Sequence, residues 1–148
     1  MVRPEINKQS SSKKLIRLVG VPLAGATGRR KKAVARSWAR RGTGKIIVNG
    51  LSYNDYFDTN TMRINVTKPF QVCPIAKNYD FQINVFGGGK NGQSDAVKLA
   101  IARTLLSMEA SVRPLLRQSR LLTVDSRVKE RKKYGQRGAR RKFQFVKR

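Results

Sequence analysis

The chain of 148 residues has no histidine, a single cysteine (Cys73) and only 8 acidic residues against 33 lysines and arginines, which leaves a formal net charge of +25. Without histidine, the side chain that most often serves as a general base near neutral pH is missing. One cysteine rules out an internal disulfide and a zinc site built from Cys and His, and it fits reducing surroundings or an organelle interior. No apolar run approaches the roughly 18 residues of a membrane span, and the N-terminus has no apolar core of a secretory signal, so a soluble protein is expected. What the chain does have is cationic charge in excess, which calls for a polyanionic partner such as nucleic acid.

The placement of that charge divides the chain. Residues 1–28 carry five basic and one acidic residue, 29–45 carry eight and none, 46–112 carry six and five, and 113–148 carry fourteen and two. A nearly neutral middle flanked by cationic segments reads as a folded body with basic extensions at both ends. The length suits one compact domain. The expected organisation is an N-terminal extension over 1–28, an α+β body over 29–122 and an extended basic tail over 123–148.

Local patterns fill in the body. Val34, Arg36 and Trp38 alternate with Ala33, Ala35 and Ser37, predicting a strand that begins near Lys32. The short apolar run Ile46 to Val48 precedes Asn49-Gly50, a strong turn signal, and a hairpin with the preceding strand is expected. SYNDYF opens a helix with Ser52 as its cap and with Tyr53, Tyr56 and Phe57 toward the core. YDFQINVF is a strand with Tyr79, Phe81, Ile83 and Val85 on one face. The helix that follows places Val97, Ala100, Ile101, Thr104, Leu105 and Met108 at helical spacing, with Ser94 and Asp95 capping its start. A shorter helix is expected after Pro114, and Leu121 to Val124 return to the sheet. From Asp125 the chain has too little apolar periodicity to fold alone.

Between that strand and helix, FGGGKNGQS comes close to a nucleotide-binding phosphate loop. Gly87, Gly92 and Ser94 fall where GxxxxGK[ST] needs them, but Gln93 replaces the lysine that would reach the phosphates. LLTVD at 121–125 resembles a strand ending in a magnesium-binding Asp, yet the missing lysine and the small sheet argue against NTP hydrolysis. Two readings of the glycines remain. They let helix and strand pack closely, or the backbone N–H groups of Gly87, Gly88, Gly89, Lys90, Gly92 and Gln93 hold a nucleic-acid phosphate at the helix N-terminus. In the tail, Arg127, Lys129, Arg131, Lys132 and Lys133 precede Tyr134, and Arg137, Arg140, Arg141 and Lys142 precede Phe143 and Phe145. Cations interleaved with aromatics suit phosphate contact and base stacking. A free RNA or DNA chaperone would use the same tail.

TGRRKKAVAR, GTGKIIVNG, VFGGGKNGQSDAVKLAIARTLL and LLTVDSRVKERKKYGQRGARRKFQFVKR, in this order, closely resemble the family of ribosomal protein nine of the small subunit in its bacterial and organellar form. The resemblance covers about residues 27 to 148, and the near phosphate loop is the family's GGGxxGQ signature. It implies a structural, non-catalytic protein of the subunit head, with no cofactor, metal or small-molecule substrate. Its implied partners are small-subunit rRNA, peptidyl-site tRNA and neighbouring head proteins. The implied fold is a four-stranded sheet with helices on one side and a left-handed βαβ crossover, shared with the fourth domain of elongation factor G. The implied rRNA contacts are the glycine turn, the tail from Arg127 to Lys142, and Arg29, Arg30, Lys31, Lys32, Arg36, Arg40 and Arg41. Lys147 and Arg148 would approach the anticodon stem-loop of the tRNA. Bacterial members usually end in Ser-Lys-Arg, whereas this chain ends in Phe-Val-Lys-Arg. Mitochondrial members often end this way, so a mitochondrial ribosome is the expected setting, although the initiating Met1 speaks against a removed transit peptide.

Overall fold

The computed structural model describes Ile16, Leu18 and residues 20–145. The expectations for residues 1–15 and for Lys147 and Arg148 lie outside these. Five strands, not four, form one mixed sheet: β1 (Ala24–Arg30), β2 (Ala33–Arg41), β3 (Ile46–Val48), β4 (Leu51–Ser52) and β5 (Tyr79–Phe86), in the order β1-β2-β5-β3-β4. Neighbours are antiparallel except β3 and β5, which run parallel with Ile46 opposite Phe81 and Val48 opposite Ile83. The helices are α1 (Tyr53–Tyr56), α2 (Asn60–Val72), α3 (Lys90–Met108) and α4 (Arg113–Gln118).

The alternation in β2 and β5 is realised as expected. Ala33, Ala35, Ser37 and Ala39 are buried on the same side as Phe81, Ile83 and Val85, while Arg36, Asn84 and Phe86 stay exposed on the other. Helices therefore cover one face of these strands. α3 lies across β1 and β2, and α2 packs against α3. Phe57, Val66, Phe81, Ile83, Ile101 and Leu116 fill the core between them, with Phe70 edge-on to Phe81 at 5.3 Å between centroids. α2 stops at Val72 just before Pro74, which opens a 3₁₀ turn leading into β5.

Four local expectations are corrected. β1 begins at Ala24, inside the segment read as an arm, because AGATGRR carries almost none of the branched or aromatic residues that signal a strand. Its sparseness has a packing cause. A Cβ at Gly28 would overlap the carbonyl oxygen of Ala96 and stand 2.6 Å from the nitrogen of Ala100, so backbone meets backbone where β1 crosses α3. Second, β3 does not pair with β2. Asn49 and Gly50, with φ of 49° and 82°, close a tight hairpin forward to β4, and β5 lies between β2 and β3. The Asp80 carboxylate holds the β2–β3 connection by accepting the N–H groups of Thr43 and Lys45, each at 2.8 Å. Third, Ser94 and Asp95 sit in the second turn of α3, whose N-cap is Gly89, and Ser52 precedes α1 without a side-chain capping bond. Fourth, Leu121 is buried but Leu121 to Val124 form no strand.

Ser37 on β2 and Thr104 on α3 share a buried hydroxyl–hydroxyl hydrogen bond, and Thr104 also donates to the carbonyl of Ala100. This polar pair is satisfied within the core, as burial requires.

Replacing Gly28 by Ala should lower unfolding stability by about 3 kcal/mol, since the added methyl meets main chain that cannot swing aside. Urea unfolding of the two proteins checks this, and an unchanged midpoint would show that α3 is not seated on β1 as described.

Candidate nucleic-acid interface

The glycine turn is built by conformation first. Gly87 and Gly88 have φ of 73° and 61°, a region that side chains other than glycine rarely adopt. They also lie on the β1–β2 turn. A Cβ on Gly87 would overlap the carbonyl oxygen of Lys32, and one on Gly88 would stand 3.0 Å from the nitrogen of Ala33. Close packing thus accounts for these two glycines. Gly89 faces open space, and α3 begins at the next residue, so the helix's first N–H groups have no partner within the helix.

Gln93 is a strut across this turn. Its amide nitrogen donates to the Gly87 carbonyl at 3.1 Å, its amide oxygen accepts the Tyr56 hydroxyl at 2.9 Å, and its backbone N–H donates to Gly89 at 3.0 Å. Lys90 is directed onto α1, where Nζ donates to the Tyr56 carbonyl at 2.7 Å and lies 3.5 Å from the ring centroid. Ser94 is buried, and its hydroxyl donates to the Asn91 carbonyl at 2.9 Å. The hydroxyl that a phosphate loop would turn toward a metal is therefore committed inside the helix. Among the described residues, no group of three or more Cys, Asp and Glu stands together as a metal site.

Beside the turn, three stretches far apart in sequence form one groove of about 440 Å³. Arg30, Lys31 and Lys32 come from the β1–β2 turn, Gly88, Gly89, Asn91 and Gly92 from the glycine turn and the start of α3, and Val128, Lys129 and Glu130 from the tail. Lys31 takes a left-handed conformation (φ 53°), which makes this basic turn tight. The groove combines fixed cations, flexible lysines and a helix N-terminus, and each favours a phosphate. Arg29 borders a neighbouring depression with Lys98 and Arg120.

Arg36, Arg40 and Arg41 are not part of this groove. Arg36 lies on the open sheet face, 6.0 Å above the Phe86 ring. Arg40 and Arg41 stand at the far end of β2, where Arg40 donates to the Gly20 carbonyl at 2.8 Å and to Gln82 at 3.0 Å. Arg40 thereby binds the segment preceding β1 to the sheet, and Ile16 extends that contact by donating its N–H to Gly50 at 2.7 Å.

The sequence reading did not identify the carboxylates that organise the basic groups. Asp95 accepts from Asn65 at 2.6 Å and pairs with Lys98 at 3.1 Å and Arg30 at 3.6 Å. Burial pushes its carboxyl up, but the hydrogen bonds from Asn65 and Lys98 and the charges of Lys98 and Arg30 outweigh this and hold it below the usual range. Asp125 is held far below that range by the side chain and backbone N–H of Arg127, with Arg30 adding its charge. The signal available in sequence was scarcity: with so few acidic residues, three of them, Asp95, Asp125 and Glu130, are found paired with cations.

In the tail, Arg131, Lys132, Lys133, Arg137, Arg141 and Lys142 surround a loop with no helix or strand. Tyr134 and Phe145 are 92% and 95% exposed, free to stack on a partner.

The family description "Ribosomal protein S9/S16" matches residues 28–148. Small ribosomal subunit protein uS9 of Cytophaga hutchinsonii is 47% identical over 123 residues, covering 83% of this chain and 96% of that protein. The protein of the same name from Maridesulfovibrio salexigens is 48% identical over 123 residues, covering 83% and 95%. That from Chlorobaculum tepidum is 50% identical over 121 residues, covering 82% and 94%.

Gln93→Lys completes the phosphate-loop pattern but removes two hydrogen bonds of the strut. It should cost about 1–2 kcal/mol of stability and yield no phosphate release from ATP or GTP above a protein-free blank. Turnover by either protein, read by a phosphate assay, would reverse the assignment of Gln93.

Proposed function

The chain belongs to the ribosomal protein S9/S16 family, and from that premise we propose that it is a structural constituent of the small ribosomal subunit that binds rRNA in the subunit head. It is not an enzyme. The observation that carries the RNA-binding reading is the groove in which the cations of the β1–β2 turn and of the tail meet the N-terminus of α3. Phosphate contacts there would fix the body's register on a folded RNA without reading its sequence. The remaining basic residues of the tail and of β2 extend the same contact beyond the groove.

The proposed organisation keeps a body, an N-terminal extension and a basic tail over 123–148, with β1 included in the body. The connection from β3 to its parallel neighbour β5 runs through β4, α1 and α2. The left-handed crossover implied by the family applies to this connection, against the right-handed rule. Contact with peptidyl-site tRNA is assigned to Lys147 and Arg148: two cations at a chain end engage backbone phosphates whatever the tRNA sequence, as a subunit serving every tRNA requires. Neighbouring proteins of the head complete the set of partners. The mitochondrial placement rests on the final Phe-Val-Lys-Arg alone, and the relatives named above are bacterial, so they support the subunit and not the organelle.

Deleting Lys147 and Arg148 should leave subunit assembly nearly intact while weakening tRNA at the peptidyl site by about 1–3 kcal/mol, the value of charged hydrogen bonds reduced by solvent screening. Toeprinting or filter binding of tRNA to purified subunits checks it. Unchanged occupancy and dissociation rate would reduce the tail to an assembly anchor.

A further inference from the structure

The tail carries two anions in a segment whose attraction to RNA depends on positive charge. Residues 113–148 hold fourteen basic residues, and Asp125 and Glu130 are their acidic companions. Each carboxylate repels phosphate and subtracts from the electrostatic attraction. Their presence therefore calls for another role, and their geometry supplies one.

Asp125 fixes the root of the tail. Its Oδ1 accepts the backbone N–H and Nε of Arg127, each at 3.0 Å, and Oδ2 accepts Arg127 Nη2 at 2.7 Å. Arg30, whose side chain is 13% exposed, pairs with Asp125 at 2.9 Å and donates to the carbonyls of Asp125 and Arg127 at 3.1 and 2.6 Å. Glu130 closes the loop that follows. It receives Arg140 in a two-pronged contact, Nε at 3.1 Å and Nη2 at 2.5 Å, across ten residues. Within the loop, the Lys133 N–H donates to Gly138 at 3.3 Å and the Arg137 N–H donates to Arg141 at 2.8 Å, with Gly135 at φ 63° turning the chain.

We infer that Asp125 and Glu130 are positioning residues that set the shape of the tail's basic surface before RNA arrives, so that a folded RNA meets an ordered loop and not a flexible polycation. This rests on the rRNA-binding reading given above. An ordered loop binds without first losing its conformational freedom, and a chain ordered only part of the time binds in proportion to that fraction. The device exchanges some general attraction for selectivity toward an RNA of matching shape.

The test exploits a difference in sign. Asp125→Asn and Glu130→Gln each add one positive charge, so pure electrostatics predicts tighter binding to every RNA. Loss of shape predicts weaker binding to folded RNA alone. Fluorescence anisotropy at fixed salt would compare the full chain with a head-domain small-subunit rRNA transcript and with poly(U). Each variant should lose about two- to fivefold on the transcript and gain on poly(U). The exchanged pair Glu130→Arg with Arg140→Glu restores the net charge and the contact, and it should recover transcript binding, which simple removal of charge cannot do. Parallel tightening on both RNAs would overturn the proposal. Hydrogen exchange without RNA gives a second reading: the Lys133 and Arg137 amides should be protected in the native protein and lose protection in Glu130→Gln. Unprotected amides in the native protein would overturn it whatever the RNA results. If the native chain prefers poly(U) to the transcript while those amides are protected, the fault lies with the rRNA assignment and the shaping role stands.

Discussion

Gly28 brings the main chain of β1 against the main chain of α3, and the basic end of the molecule is arranged around that approach. Once β1 is pressed on the helix, the β1–β2 turn lies beside the first residues of α3, and Arg30 at the end of β1 reaches Asp95 in the helix's second turn. The same guanidinium then holds the carbonyls of Asp125 and Arg127, which fixes where the tail leaves the body. A single backbone contact without side chains thus aligns three stretches of sequence.

Charge imposes the second constraint. Thirty-three cations repel one another, and a compact fold must keep most of them apart. The fold does so by burying mostly apolar residues, with the polar Ser37, Thr104 and Ser94 hydrogen-bonded inside, and by setting Asp95, Asp125 and Glu130 against cations. Asp95 answers Arg30 and Lys98, Asp125 answers Arg30 and Arg127, and Glu130 answers Arg140. The uncompensated charge of the tail remains exposed. In the proposed setting rRNA neutralises it.

β2, β5 and α3 were legible because each repeats one period: Val34 to Trp38 and Tyr79 to Val85 alternate, and Val97 to Leu105 recur at helical spacing. β1 was hidden by the feature that makes it work, since a strand packed on helix backbone needs small residues and loses its strand signature. The partner of β3 was misread because Asn49-Gly50 marks a hairpin without saying on which side its second strand lies. At the interface, the basic residues and the glycine turn were legible by type. Their assembly into one groove was not, because residues 30–32, 88–92 and 128–130 share no local pattern, and Gln93 gave no sign of being a strut until Tyr56 was seen to meet it. The resemblance supplied the family, whereas local spacing alone left both packing and phosphate binding open for the glycines.

The central claim is that this cationic chain resides in a ribosomal subunit and is held there through RNA contacts. Sedimentation of a tagged full-length chain expressed in cells, through a magnesium-containing gradient, tests it most directly. The account predicts that the chain travels with the small subunit and is released when the rRNA is digested. A chain that stays at the top of the gradient, or whose position is unaffected by that digestion, would contradict it.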